Sequence, residues 1–291
     1  MRILILGVSG LIGHKLLQEL SLDFDVFGTL RRNKTEYGDL ALFDGENIIE
    51  NIDILDFELL TKFFIAINPE VILNCIGITK RKIDINYPAL PISINADFPH
   101  KLASWAKEHQ KRVIHFSTDC VFDGKIGNYN EESLTTAEDI YGRTKALGEI
   151  NYNHTLTIRS SFIGQELFNK TELLDWFLAQ NGKKIYGFKN TFYSGVSTIF
   201  MAQLVKNVIL NFPELSGVYQ LAPEKPISKF DLLNIAKHAF NVNVEIMPDE
   251  ANIHRPTLDG SKLKNKINLV VPSWHKMMNE LALNKEFYIK I

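Results

Sequence analysis

The chain predicts an α/β fold, a doubly wound parallel sheet with a smaller α/β lobe towards its C-terminal end. Two observations carry this. Short apolar runs rich in Val, Ile and Leu alternate with amphipathic stretches through the first half, as in a parallel sheet covered by helices on both faces. A glycine-rich turn, "GVSGLIG", directly follows the first apolar run and opens into a helical pattern, the local order of a phosphate-binding turn.

The elements follow in order. "RILIL" (Arg2–Leu6) reads as a buried strand, and the segment from Leu11 to Leu20 as an amphipathic helix. "DVFGTL" (Asp25–Leu30) is a second strand, and "NIDILD" reads as a further strand ended by Asp53. "FELLTKFFIAINP" is a helix stopped before Pro69. "VILNCIG" (Val71–Gly77) is a strand, and "INADFPHKLASWAKEH" a helix despite Pro99. "RVIHFST" (Arg112–Thr118) is a strand, "YGRTKALGE" lies on a helix, and "TLTIRSSFIG" is the next strand. Right-handed crossovers between such strands wind the sheet in both directions, giving a Rossmann arrangement.

The second half is less regular. Ser197–Leu210 is a helix, "GVYQLA" a short strand, and "SKFDLLNIAKHAF" a helix opened by the capping pair Ser228 and Asp231. "NVEIMP" is a strand and Pro272–Leu283 a final helix with proline near its start. Without repeats or a low-complexity linker, the expected division is a dinucleotide-binding domain over residues 1–165, to which 191–215 returns, and a substrate lobe over 166–291.

Composition narrows the function. The 291 residues carry 32 basic and 34 acidic side chains and are 45% hydrophobic, enough for a sizeable core. A net charge of −2 gives no electrostatic footprint for nucleic acid. No apolar run approaches the roughly 20 residues of a membrane helix, and the N-terminus is a poor signal peptide. Cys75 and Cys120 have no metal spacing and read as reduced thiols of a cytoplasmic protein, with no metal expected. A homodimer is left open.

Gly7, Gly10 and Gly13 are spaced one residue more widely than the usual dinucleotide fingerprint. Glycines let the backbone approach a pyrophosphate, and the helix N-terminus that follows offers N–H donors and a favourable dipole. Where the second strand ends, an acidic residue would bind the 2′-hydroxyl of NAD. Here Arg31 and Arg32 stand instead, and guanidinium groups suit the 2′-phosphate of NADPH. NADPH is the expected cofactor, with NADH as the alternative. Asp53 either bonds the adenine amine or caps the helix beginning near Asp56.

"YGRTK" puts Tyr141 and Lys145 at i and i+4, on one helix face. It follows "STDCVFDG" (Ser117–Gly124) at the carboxyl end of a strand, where ligands bind in such sheets. A neighbouring ammonium lowers the pKa of a phenol, which can then give a proton to a carbonyl oxygen as hydride arrives. The Thr118 hydroxyl can hold the same oxygen. His115, on a buried strand, reads as a core residue.

These motifs resemble the extended short-chain dehydrogenases/reductases, and most of all their dTDP-4-dehydrorhamnose reductase group. The resemblance continues in "TIRSSFIG", "YSGVSTIFMAQLV" and "HRPTLDGSKLKN", so it covers nearly the whole chain. It implies an NAD(P)H-dependent reductase of a 4-keto nucleotide-linked deoxysugar, serving polysaccharide or cell-surface sugar synthesis, with Thr118, Tyr141 and Lys145 catalytic. Implied cofactor contacts are Gly7, Ser9, Gly10, Leu11, Ile12, Gly13, Arg31, Asp53, Ile54, Cys75 and Gly77, besides Tyr141 and Lys145. Ser117, Asp119, Phe162 and Arg255 are the implied substrate contacts. Asn95 matches a lesser active-site position or orders its helix. His254 and Arg255 contact the nucleotide or pack the lobe, and Lys80, Arg81 and Lys82 face a pyrophosphate or form a solvated loop.

Three departures from the group lie near the expected sugar. Cys120 stands where tyrosine is usual, Phe162 where tryptophan is usual, and "IGITKRKID" replaces an alanine-rich, then acidic segment. Two alternatives share the fold: an epimerase or dehydratase, weakened because no glutamate follows Asp119, and a non-catalytic NADP-binding regulatory subunit.

Overall fold

The structure, a computed structural model, describes residues 1–38 and 40–289. The first half supplies six parallel strands: β1 (Arg2–Leu6), β2 (Asp25–Thr29), β3 (Ile48–Ile49), β4 (Val71–Asn74), β5 (Arg112–Ser117) and β6 (Thr155–Arg159). The short strands β7 (Phe162–Ile163), β8 (Lys184–Phe188), β9 (Phe192–Tyr193) and β10 (Val196–Ser197) follow. Next come β11 (Gly217–Gln220), β12 (Ile227–Ser228) and β13 (Glu245–Asp249). The main sheet has seven strands in the order β11-β6-β5-β4-β1-β2-β3, all parallel. Strand order therefore reverses between β1 and β4, the switch point where a crevice opens at the carboxyl ends.

The helices are α1 (Gly13–Leu20), α2 (Phe57–Ile67), α3 (Ala89–Pro91), α4 (Phe98–Glu108) and α5 (Ile140–Leu147), then α6 (Leu173–Leu178) and α7 (Thr198–Asn211). They end with α8 (Lys229–Phe240), α9 (Ser261–Ile267), α10 (Trp274–Leu283) and α11 (Lys285–Ile289). The alternation in β1 decides the layers. Ile3 and Ile5 join one core with Leu16 of α1 and Val205 of α7, while Leu4 and Leu6 join another with Phe64 of α2 and Leu102 of α4. All four β1 residues are fully buried, each worth roughly 1.5–3 kcal/mol relative to exposure. Lys206 of α7 pairs with Asp23 and Glu19, tying α7 to the end of α1.

Several boundaries differ from the sequence expectation. Between β2 and α2 the strand is Ile48–Ile49, and Asp53 lies beyond it in the connecting loop. Ile52 and Ile54 are buried, and this alternation imitates a strand. The Asp53 carboxylate, however, accepts from Leu55 N at 3.0 Å and turns the chain. Asp56, not Asp53, caps α2 by accepting from Leu59 N. Pro99 is accommodated because α3 and α4 are joined by a π-helical segment, Ile92–Asp97, so the proline falls in the first turn of α4. "GVYQLA" contributes β11 to the main sheet beside β6, so the chain returns to that sheet beyond the expected 191–215.

Outside the main sheet, β8 pairs with β13, β9 with β12, and β7 with β10. Helix α8 packs on β8 and α10. Its start is the anticipated capping pair: Asp231 N donates to Ser228 Oγ at 3.0 Å, and Ser228 Oγ donates to Asp231 at 2.6 Å.

Candidate active site

One cavity of about 530 Å³ opens at the carboxyl ends of the central strands. Its walls come from the glycine turn, the segment after β4, the end of β5, the side of α5 that carries Tyr141 and Lys145, the stretch around β7, and β9.

The glycine turn is built for close approach. Gly7 has φ +85°, a left-handed conformation costly for other residues, and accepts from Gly10 N at 3.1 Å. A Cβ on Gly13 would lie 2.1 Å from the Gly7 carbonyl oxygen, so Gly13 permits helix and turn to touch. No side chain caps α1 and its first turn holds no acidic residue. That helix end, bordered by Ser9 to Ile12 in the cavity wall, fits the phosphates of a dinucleotide.

Thr118 follows β5 and caps a 3₁₀ turn, Asp119–Val121, by accepting from Cys120 N at 3.1 Å. Its hydroxyl donates to Asp119 Oδ1 at 3.1 Å. Helix α5 begins at Asp139, whose carboxylate accepts from Gly142 N at 2.8 Å and pairs with Lys80 at 2.7 Å. Gly142 brings α5 onto the Thr118 turn: a Cβ there would stand 2.2 Å from the Cys120 carbonyl oxygen. Gly142→Ala should therefore destabilise the protein by ~1–3 kcal/mol through overpacking, although alanine is the better helix former by ~1 kcal/mol. A urea melt with the variant as stable as wild type would remove this packing role.

Tyr141 and Lys145 lie on the same stretch of α5 and both line the cavity. Burial is the main reason the Tyr141 phenol lies above its ordinary pKa; Cys120 adds to the rise and the Thr118 hydroxyl opposes it. Burial also lowers the Lys145 ammonium to about 8, with Glu149 opposing. Lys145 Nζ donates to the Phe116 carbonyl at 2.7 Å and meets His115 Nε2 at 3.4 Å. The expected lowering of the phenol by Lys145 is thus not what dominates here: burial raises it, and Cys120, Asp119 and Glu172 act in the same direction.

The remaining anticipated residues divide. Cys75, Gly77, Ser117, Asp119 and Phe162 line the cavity together with the catalytic candidates and Ser9 to Ile12. Ser117 Oγ is engaged, donating to Glu149 Oε1 at 2.6 Å. Glu149 in turn holds Arg159 with two bonds of 2.7 Å, and both side chains are buried. Asn95 sits in the π-helical segment, accepts from Ile78 N at 2.8 Å and donates to Ile78 O at 3.0 Å, which fixes the loop after β4.

Gly7, Gly13, Arg31, Asp53, Ile54 and Arg255 do not border the cavity. Arg31 and Arg32 are exposed just past β2, and Arg32 pairs with Glu36 at 3.6 Å. Arg255 lies over the Phe192 ring at 5.9 Å, and its N–H donates to Gly124 O at 2.7 Å, whereas His254 does line the cavity.

Sequence reasoning missed Glu172, Tyr193 and Lys229, which also border it. Burial shifts all three towards neutrality, Glu172 and Tyr193 upwards and Lys229 downwards. Tyr193 and Lys229 fell within segments already singled out, Lys229 only as part of a helix start between Ser228 and Asp231. Among the described residues, no group of His, Cys, Asp and Glu could hold a metal. No helix there is long and apolar enough to cross a membrane.

The RmlD substrate binding domain matches residues 1–286. The chain belongs to that family. It is 24% identical to the dTDP-4-dehydrorhamnose reductase of Escherichia coli (strain K12), over 97% of this chain and 98% of that protein. It is also 30% identical to the methionine adenosyltransferase 2 subunit beta of Bos taurus over 150 residues, 51% of this chain and only 41% of that protein. Among solved structures, the dTDP-4-dehydrorhamnose reductase of Bacillus anthracis str. Ames in complex with NADP has the same fold. Its TM-score is 0.78 at 19% identity, covering 100% of this chain and 99% of that one.

Proposed function

We propose that the protein is an NADPH-dependent reductase acting on a 4-keto deoxysugar linked to a nucleotide, in the cytoplasm. The observation that carries this reading is the convergence of Thr118, Tyr141 and Lys145 on the cavity that the glycine turn also borders. A nicotinamide cofactor held by the turn from Ser9 to Ile12 would supply hydride for the ketone carbon. Tyr141 gives its proton to the ketone oxygen, and a phenol held above its ordinary pKa by burial is fully protonated at neutral pH, as the reductive direction requires. Thr118 orients the same oxygen, and Lys145, when charged, steadies the phenolate left behind. Arg81, Lys82 and Lys229 in the cavity wall suit a substrate carrying phosphates.

Arg31 and Arg32 support NADPH over NADH. Calorimetry should show tighter NADPH binding, with most of the preference erased in the double alanine variant. Equal affinities in the unmodified protein would reject this choice.

A second reading is a subunit that binds nucleotide without turning over, favoured by the match to the adenosyltransferase subunit over half of the chain. Loss of NADPH absorbance with a panel of 4-keto-6-deoxy-sugar nucleotides separates the two. Turnover supports the reductase, while binding of NADPH with no consumption across the panel supports the subunit.

A further inference from the structure

Beneath the catalytic candidates lies a buried polar chain that the proposed mechanism does not use. Asn74 and His115 are partners in the β4–β5 register, and both are buried. Asn74 Oδ1 accepts from Ile76 N at 3.2 Å, so its Nδ2 faces His115 Nδ1, at 3.1 Å. An amide nitrogen only donates. His115 Nδ1 must therefore be the acceptor, and the neutral ring carries its proton on Nε2. That N–H points at Lys145 Nζ, 3.4 Å away.

An amine at Lys145 can accept this hydrogen and still donate to Phe116 O. An ammonium cannot accept it and meets hydrogen with hydrogen. We infer that His115, oriented by Asn74, is a positioning residue that sets the charge of Lys145 by presenting it with a donor instead of a lone pair. The inference rests on the proposed reading only for its consequence in catalysis; the wiring itself does not depend on it.

The other groups around Lys145 are few. From β5 come His115 and the Phe116 carbonyl, from its own helix Tyr141 one turn before, and from just beyond the end of that helix Glu149, whose carboxylate favours the cation. Glu149 is itself held by Arg159 of β6 and by Ser117. His100 of α4 acts on His115 in the same sense as Lys145, against a second positive charge. His115 lies well below its ordinary pKa, chiefly through burial, so it stays neutral over the range in which Lys145 titrates.

Two substitutions reverse the donor. His115→Gln can turn its amide oxygen towards Lys145. Asn74→Asp accepts from Nδ1–H and so moves the ring's free lone pair to Nε2. The test is a pH titration of the Lys145 ε-carbon by NMR, in full-length protein with ¹³C-labelled lysine and NADPH bound, the resonance being assigned with Lys145→Met. In wild type the midpoint is expected at about 8. In either variant it should rise by about one pH unit or more. Folded variants with an unmoved midpoint would overturn the inference.

The alkaline limb of the kcat/KM profile should move upwards in parallel, whereas loss of packing alone would lower kcat without moving it. A shifted NMR midpoint in a protein without reductase turnover would uphold the wiring and reject the catalytic reading.

Discussion

Replacing Tyr141 by phenylalanine should lower turnover by roughly 100-fold or more, the size expected for losing a general acid. The ring and its packing beside Cys120 and Thr118 are kept, so the melting temperature and NADPH affinity should stay close to wild type. Lys145→Met should also slow turnover, and it should remove the alkaline limb expected near Lys145's midpoint of about 8. The sign follows from the role given to the cation: activity falls as pH rises and the ammonium is lost. A Tyr141→Phe protein retaining more than about half of wild-type activity on its substrate would defeat the general-acid assignment.

The largest effect on stability is expected at the Glu149–Arg159 pair. Both side chains are less than a tenth exposed, and the carboxylate also accepts from Ser117. Arg159 already has one buried nitrogen without a partner, while its guanidinium lies 5.3 Å over the Phe122 ring. Glu149→Leu strands that charge and should cost about 3–5 kcal/mol. For a chain of this size the melting temperature should fall by roughly 5–8 °C. Adding Arg159→Met should recover much of the loss, because a buried ion pair is worth little more than an apolar pair of similar volume. A Glu149→Leu protein within about 1 kcal/mol of wild type in urea would show that water or a rearranged side chain compensates the guanidinium.

The parallel sheet was legible because both of its faces are buried. Strands such as "RILIL" then read as continuous apolar runs, and the glycine turn and the Ser228–Asp231 cap fix where helices begin. Short pairings were not legible. Ile48–Ile49 is too brief for periodicity, while "NIDILD" imitated it with buried isoleucines on a turning chain. The site divided along the same line. Thr118, Tyr141 and Lys145 are local neighbours of a strand end and a helix start, so spacing places them.

Lys229 and Glu172 reach the cavity from segments distant in sequence; the Ser228–Asp231 pair around Lys229 marks a helix start, not a cavity wall. The state of Lys145 was also hidden. Spacing pairs it with Tyr141, but the β4–β5 register puts Asn74 and His115 under it, and burial outweighs the charge effects expected from sequence.

The most direct measurement is the fate of the hydride. NADPH carrying deuterium at the transferable position would be incubated with a 4-keto-6-deoxy-sugar nucleotide, and the sugar product analysed by NMR. A reductase deposits the deuterium on C4 of the sugar, one atom for each NADPH consumed, and Tyr141→Phe slows the deposition without redirecting it. Deuterium recovered only in unreacted NADPH, from a protein that binds the dinucleotide, would contradict the assignment of Thr118, Tyr141 and Lys145 to catalysis.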